Sequence, residues 1–144
     1  MVEIRNMRES DRNEVLSMME VFYNSAAVYT NGSSEIFIAD VDACLSDSPF
    51  LEGYIFEENA KILGYAMVAK SFSTEFGKPC VWLEDLYLKE SARGRGIIPS
   101  FFKFIEEKNP HAVFRLEVEH ENEHAVHVYT KAGFTELPYV EMKK

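Results

Sequence analysis

Apolar residues recur along the chain with two different periods, and these periods predict its helices and strands. Spacings of three and four residues are typical of a helix with one apolar face. Four stretches have these spacings: Val15, Met18, Met19 and Phe22; Phe37, Val41 and Cys44; Ile98, Phe101, Phe102 and Ile105; and Ala125, Val128, Tyr129 and Ala132. Ser10 or Asp11 is the expected cap of the first of these helices.

Short apolar runs and alternations lie between these helices and predict the strands. They are Val2–Ile4, Tyr54–Phe56, Ile62–Ala69, Val81–Leu88 and the alternating Phe114, Leu116 and Val118. Turn residues at positions 57–60 and 76–79 separate the central strands, which favours antiparallel pairing there. The predicted order is therefore a strand, two helices, three strands, a helix, a strand, a helix and a final strand.

Length and composition fit one domain that spans residues 1–144, because 47% of the residues are hydrophobic and can form a core. The chain has no basic segment leading into an apolar run at its start, and no stretch apolar enough to span a bilayer. We therefore expect a cytoplasmic protein with no membrane partner. Cys44 and Cys80 lie far apart in sequence, which agrees with a reducing environment.

The charge distribution predicts which ligands the chain accepts. A net charge of −9 argues against a nucleic-acid partner and favours cationic ligands. One short basic segment, Arg93-Gly94-Arg95-Gly96, interrupts this acidity between a predicted strand and a predicted helix. A glycine-rich turn at a helix N-terminus presents free backbone N–H groups, so we expect this turn to bind an anion such as a pyrophosphate.

Two motifs resemble the GNAT superfamily of N-acetyltransferases. The first is the strand Val81–Leu88 followed by residues 93–97, which is similar to the acetyl-CoA-binding strand and loop of that superfamily. The second is the spacing of Asn122, Ala125, Tyr129 and the pair Gly133-Phe134. The sequence Leu-Glu-Asp-Leu-Tyr at positions 83–87 is most similar to the diamine and spermidine/spermine acetyltransferase branch.

The resemblance implies an α/β (α+β) fold with a mixed, mostly antiparallel central sheet. This sheet is splayed between its two middle strands and is flanked by helices on both faces. The pantetheine arm of acetyl-CoA would lie between the strand that ends near Leu88 and the strand near Val118. The residues implied in acetyl-CoA binding are Leu86, Tyr87, Leu88, Arg93, Gly94, Arg95, Gly96, Ile97, Ile98, Pro99, Ser100 and Asn122.

The implied reaction is direct attack of a primary amine on the thioester in a ternary complex, and it requires one group to accept a proton and one to donate it. The resemblance assigns the donor role to Tyr129. Glu84 is the candidate that orients the acceptor ammonium and relays its proton, and Asp85 is a second candidate for acceptor binding. Consecutive strand residues point to opposite faces, so only one of the two carboxylates is expected in a given cleft unless the strand has a bulge.

The sequence does not identify the acceptor amine. Polyamines, other small diamines, amino acids, aminoglycoside-like compounds and protein N-termini are all compatible with the resemblance, and a homodimer is a further expectation because dimers are common among relatives.

Two departures define alternative hypotheses. The superfamily pattern has glycine or alanine where this chain has Ile98, and the following Pro99 lacks an N–H group, which suggests a CoA-binding or regulatory module without full activity. The stretch His120-Glu121-Asn122-Glu123-His124 has the H-E-x-x-H spacing of zinc proteases. That motif requires both histidines on one continuous helix, whereas Asn122 is the expected helix cap, so no metal site is predicted.

Overall fold

A computed structural model describes all residues from Met1 to Lys144. Five strands form one sheet in the order β1-β2-β3-β4-β5, in which every pair is antiparallel except the parallel pair β4 and β5. The predicted mixed, mostly antiparallel sheet is confirmed. The elements are β1 (Glu3–Asn6), α1 (Arg12–Tyr23), α2 (Ser34–Leu45), β2 (Leu51–Glu58), β3 (Lys61–Ser73), β4 (Lys78–Leu88), α3 (Ile97–Lys108), β5 (Val113–Leu116) and α4 (Glu123–Lys131).

Helices cover both faces of the sheet, as predicted, because alternate strand residues supply two separate cores. Ile55, Tyr65 and Met67 pack with α1 and α2 on one face. Their neighbours in the strands, including Tyr54 and Ala66, pack with α3 on the other face, where α4 also contributes Tyr129. We call these the α1–α2 face and the α3–α4 face.

The sheet opens between β4 and β5. The two strands pair from Cys80 with Val113 to Leu83 with Leu116, where β5 ends, while β4 continues to Leu88. The predicted splay therefore lies beside the last five residues of β4, residues 84–88, which are hydrogen-bonded to a strand only on the β3 side.

A β-bulge begins where the opening begins. Met67 of β3 pairs with Asp85 and Val68 pairs with Leu83, so Glu84 is an additional residue on β4. This bulge changes which residues face which core. Leu83 faces the α3–α4 core before the bulge and Leu86 faces it after the bulge. Without the bulge, Asp85 would share the face of Leu83.

The first helix begins differently from the prediction. Asp11 precedes α1, but its carboxylate does not cap the helix. It accepts hydrogen bonds from the guanidinium of Arg5 at 2.8 and 2.9 Å, and from the backbone N–H of Arg8 at 2.7 Å. Because Arg5 also donates to Glu57 at 2.8 Å, the buried Asp11 joins α1 to β1 and β2. By contrast, Ser33 caps α2, because its Oγ accepts the Ile36 N–H.

The predicted final strand does not form, which is a correction to the sequence analysis. No backbone hydrogen bond joins residues 135–144 to the sheet. β5 also ends at Leu116, so Val118 lies outside it and is exposed. The last residues nevertheless run beside the β5 segment, because Tyr139 lies near Arg115 and Glu141 contacts Glu117. Side chains rather than a ladder hold this segment, so β5 remains the edge strand.

None of the helices is both long enough and apolar enough to cross a bilayer. The cytoplasmic location stays a prediction.

Gly64 allows β3 to approach β4 closely at the opening. A Cβ atom at this position would lie 2.2 Å from the backbone oxygen of Tyr87. We expect Gly64→Ala to reduce the free energy of unfolding by about 1–3 kcal/mol, the usual cost of overpacking, because the backbone must move. Urea denaturation measures this loss.

Gly53→Ala is the matched control, because it is also a strand glycine. A Cβ atom there would come within 2.6 Å of the Met7 methyl group, the end of a flexible side chain that can rotate away, and would meet Cys44 no closer than 3.0 Å. Equal losses for the two variants would contradict the importance of the backbone contact.

Candidate active site

The opening beside β4 leaves backbone groups available to a ligand. Leu86, Tyr87 and Leu88 pair with β3 along one edge and with no strand along the other. Their side chains are fixed by both cores, since Leu86 and Leu88 pack on the α3–α4 face and Tyr87 packs on the α1–α2 face. An extended ligand with amide groups could therefore pair with this strand edge as a further strand would.

The turn after β4 presents a continuous series of free backbone donors. The N–H groups of residues 94–98 have no acceptor within the protein, and the first turn of α3 begins there. Gly94 and Gly96 have positive φ angles of 74° and 76°, a conformation that glycine adopts without strain. These donors and the positive end of the α3 dipole together form an anion site.

The arginines of the turn are directed elsewhere in this structure. Arg95 donates to both oxygens of Glu58 at 3.0 and 2.8 Å, and Arg93 donates from Nε to the Leu88 carbonyl oxygen. The anion site therefore consists of backbone groups first, with the guanidiniums at its border. Ser100 is also engaged, because its N–H and its hydroxyl both donate to the Gly96 oxygen.

Ile98 and Pro99 do not disrupt the start of α3. The Ile98 side chain is half-buried and packs against the α3–α4 core, and the Ile97 side chain is buried in it. Pro99 lies in the first helical turn, where the missing N–H group leaves no helical hydrogen bond unmade. The departures from the superfamily pattern are thus accommodated by the local fold.

Tyr129 lies on α4 between two aromatic rings. Its ring centroid is 6.0 Å from that of Phe102 and 6.2 Å from that of Phe134, and these contacts fix the ring. Burial raises the pKa of the Tyr129 phenol, and its hydroxyl makes no hydrogen bond within the protein. The Tyr129 hydroxyl is therefore protonated and has no hydrogen-bond partner in the protein.

Asp85 is buried on the α1–α2 face, on the opposite side of the sheet from Tyr129. Its carboxylate accepts a hydrogen bond from Tyr23 of α1 at 2.7 Å and from Tyr65 of β3 at 2.8 Å. Burial raises the Asp85 pKa, although the two phenols oppose this change by stabilising the charged form. Asp85 thus anchors the end of α1 to β4, and both of its oxygens already have donors.

Glu84, the residue at the bulge, remains accessible to solvent. Partial removal from water, together with the charges of Asp85 and Glu141, raises the pKa of its carboxyl group. Of the two adjacent carboxylates, Glu84 is the one that is free to receive a ligand.

The sequence analysis missed Glu117, which follows β5 at the other side of the opening. Partial burial, a hydrogen bond shared with the carboxyl of Glu141 and the charge of Glu84 raise its pKa to about 7. The alternation of residues 114–118 indicated that position 117 was polar. It gave no sign that the C-terminal segment would bring Glu141 beside it.

Asn122 caps α4, as predicted, because its side-chain oxygen accepts the Ala125 N–H at 3.3 Å. Its side-chain NH2 group is left available for a ligand. α4 begins at Glu123, and His120 lies in the turn before it. His120 and His124 are therefore not one turn apart on a single helix, which is the arrangement that the zinc hypothesis requires.

Residues 15–134 match the model of the acetyltransferase (GNAT) family. The chain belongs to the GNAT acetyltransferase family. The predicted superfamily and enzyme class are confirmed, whereas the narrower polyamine branch is not. No curated protein matches the chain at a significant level.

Solved structures of other proteins have a fold similar to that of this GNAT protein. A possible acetyltransferase from Clostridium difficile 630 has a TM-score of 0.84 at 20% identity, covering 100% of this chain and 97% of that chain. The aminoglycoside acetyltransferase AAC(6')-Iy, solved with the bisubstrate analogue CoA-S-monomethyl-acetylneamine, has a TM-score of 0.76 at 18% identity, with 100% and 97% covered. A predicted acetyltransferase from Clostridium acetobutylicum, solved with acetyl-CoA, has a TM-score of 0.75 at 20% identity, with 99% and 96% covered. These similarities confirm the fold.

Two surface clefts of the GNAT protein lie against the sheet. One, of about 680 Å³, lies between β1 and α3 and contains none of the predicted site residues. The other, of about 300 Å³, lies on the sheet beside the opening, where Trp82 and Arg115 form part of its wall.

Asp40 of α2 makes the stability of the protein depend on pH. Partial burial and the charges of Asp85 and Glu84 raise its pKa to about 6, and it has no hydrogen-bond partner. A carboxyl whose folded pKa is raised stabilises the fold below its unfolded pKa, and this contribution is lost as the pH rises through the folded pKa. We expect Asp40→Asn to stabilise the protein at pH 7.5 by about 1 kcal/mol, since half-exposure screens the full shift, and to have little effect near pH 4.

Urea denaturation at the two pH values measures this difference. Asp47→Asn removes the same charge from an exposed position just after α2 and is the control. Equal stabilisation by Asp40→Asn at both pH values would contradict the raised pKa.

Proposed function

We propose that this GNAT protein transfers the acetyl group of acetyl-CoA to a primary amine of a small acceptor, by direct attack in a ternary complex. The observation that carries this proposal is the series of free N–H groups at residues 94–98, which follow the 3-10 helix Glu90–Ala92 after a strand whose edge is open from residue 84. The turn fits a pyrophosphate and the open edge of β4 fits the amide groups of a pantetheine arm. Leu86, Tyr87, Leu88 and residues 93–100 would hold the cosubstrate, with Asn122 nearby.

The reaction forms a C–N bond and breaks the C–S bond of the thioester. Glu84 takes a proton from the acceptor ammonium, directly or through water, and leaves the neutral amine as the nucleophile. Its raised pKa supports this role, because a carboxylate with a raised pKa holds an accepted proton more readily than an ordinary one. Tyr129 donates its proton to the departing sulfur, and the resulting phenolate takes up the second proton that the nitrogen loses as the amide forms. The phenol is protonated at neutral pH, and a thiolate with a conjugate-acid pKa of about 8.5 accepts that proton.

The acceptor side favours cationic compounds. Glu84 and Glu117 border the opening, and Asp40 and Asp85 add negative charge on the α1–α2 face. A polyamine-like acceptor fits this charge, and so does an aminoglycoside of the kind that AAC(6')-Iy acetylates. The class of acceptor that we propose is therefore a small molecule with at least one primary amine.

The alternative, a CoA-binding or regulatory module without full activity, depends on Ile98 and Pro99. Ile98 packs against the α3–α4 core and α3 begins normally, which weakens the reason for expecting a damaged cosubstrate site. The Tyr129 hydroxyl also has no hydrogen-bond partner within the protein. These observations favour an active enzyme.

Replacement of Tyr129 by phenylalanine tests the proton donor. We expect Tyr129→Phe to lower kcat by roughly ten- to a hundredfold, the usual contribution of a general acid, while the Kd for acetyl-CoA stays unchanged. Thiol release during amine acetylation gives kcat, and calorimetric titration gives Kd.

Tyr29→Phe is the control, because Tyr29 is 82% exposed and lies outside the helices and strands. The assignment of Tyr129 is wrong if its phenylalanine variant turns over as fast as the control.

A second experiment tests the anion site through its backbone. Gly96→Ala forces a side chain into a left-handed conformation at a cost of about 1–2 kcal/mol and disturbs the donors of the turn. We expect the Kd for acetyl-CoA to rise about tenfold, a loss of roughly 1.4 kcal/mol.

Gly77→Ala is a matched control for this strain. Gly77 has a φ angle of 64° and, like Gly96, open space where a Cβ atom would lie, but it is in the turn between β3 and β4. We expect a comparable loss of stability and an unchanged Kd. Equal loss of affinity in both variants would mean that the turn at residues 94–98 does not hold the pyrophosphate.

A further inference from the structure

The uncovered part of the α1–α2 face contains a cleft beside the opening. α1 and α2 pack on β2 and β3, whereas the cleft of about 300 Å³ lies over β4, β5 and the end of β3. Its lining is mostly polar, with hydroxyl groups from Ser71, Ser73 and Thr74. It belongs to the same face as Asp85, which places it near the acceptor side of the proposed reaction.

Arg115 of β5 is the cation of this cleft. Its guanidinium carbon lies 4.6 Å from the ring centroid of Trp82, the residue that pairs with it across the two strands. No carboxylate lies within ion-pair distance of this guanidinium. Its Nε atom is buried and has no hydrogen-bond partner. The two Nη groups also make no hydrogen bond within the protein, so a ligand in the cleft can supply their acceptor.

Stacking on Trp82 fixes the plane of the guanidinium, and a planar guanidinium held in this way matches a carboxylate through two parallel hydrogen bonds. The neighbouring hydroxyl groups can donate to the same oxygens. The chemistry of the cleft is therefore that of a carboxylate site.

The charged residues in and just after β5 relate this carboxylate site to the acceptor amine. Glu117 lies two residues after Arg115, a separation of about 7 Å along an extended chain, and is near Glu84 at the opening. The acidic groups that attract an ammonium thus lie beside the end of the strand whose Arg115 attracts a carboxylate.

We propose that Arg115, stacked on Trp82, binds a carboxylate carried by the amine acceptor itself. This inference rests on the proposed function and narrows its substrate class to small amines with a carboxylate some distance from the amine. A polyamine would leave Arg115 without its partner.

Glu75 also lines the cleft, and its charge opposes an anion there. Its carboxylate accepts a hydrogen bond from the Tyr139 hydroxyl, which keeps it engaged with the C-terminal segment rather than with Arg115. Glu75 would repel a bound carboxylate, whereas Arg115 would attract it. Substitution of Glu75 is therefore an independent test of the site.

The experiment compares two matched amines, ε-aminocaproate and its neutral amide, ε-aminocaproamide. They differ only in the group that Arg115 would bind. Calorimetric titration of the protein saturated with CoA gives their affinities, and thiol release from acetyl-CoA gives kcat/KM for each. We expect the carboxylate to be favoured about tenfold in both measurements, which corresponds to one charge-assisted contact.

Three variants identify the cause of this preference. Arg115→Gln should abolish the preference, and Glu75→Gln should increase it. Lys103→Gln should leave it unchanged, because it removes the same charge from an exposed position on α3. Circular dichroism and acetyl-CoA affinity confirm that each variant is folded, and Arg115→Lys should restore part of the preference if Arg115→Gln is unstable.

Each outcome bears on the inference separately from the proposed function. Equal affinity for the two amines in the wild-type protein, or an unchanged preference in Arg115→Gln, overturns it. Caproate, which lacks the amine, tests a free carboxylate as the ligand, and binding as tight as that of ε-aminocaproate would also overturn the assignment to the acceptor. Absence of thiol release with every amine would contradict the proposed function, while the calorimetric preference would still decide the role of Arg115.

Discussion

The structure depends on the point at which β4 and β5 separate. The two parallel strands pair up to Leu83 and Leu116, and the bulge at Glu84 begins at the next residue of β4. A strand that loses its neighbour exposes unpaired backbone groups, which is costly unless another partner replaces it. A short 3-10 helix, Glu90–Ala92, separates the exposed edge from the turn whose N–H groups are also free. The open edge and the turn thus leave free backbone groups near the C-terminal end of β4.

The bulge also decides where the carboxylates lie. It shifts the alternation of β4 by one residue, so Asp85 enters the α1–α2 face and Leu86 returns to the α3–α4 core. A buried carboxylate needs donors, and Tyr23 and Tyr65 supply them from α1 and β3. α1 and β3 are therefore tied to β4 by a hydrogen-bonded network that depends on one additional residue.

Most of the fold follows from sequence periodicity, because helices and strands with one buried face repeat every three to four or every two residues. The turn at Arg93–Gly96 and the Tyr129 position were likewise predictable, since they depend on local motifs. Other features depend on distant pairings. Ser10 or Asp11 was expected to cap α1, but the Asp11 carboxylate pairs with Arg5. The segment after Gly133 was expected to form a strand, and its side-chain contacts with β5 do not produce a ladder.

The local arrangement of charges limits how well the net charge predicts which ligands bind. The chain carries a net charge of −9, which favours cationic ligands, and Arg5, Arg12 and Arg95 are each paired with carboxylates. Arg115 differs because an aromatic ring, rather than a carboxylate, occupies the space beside it. A cation held without a counter-ion inside an acidic protein produces a small positive region whose effect is strong at contact distance and screened beyond about 10 Å. Long-range attraction of an amine and short-range recognition of its carboxylate can therefore operate on the same face of one sheet.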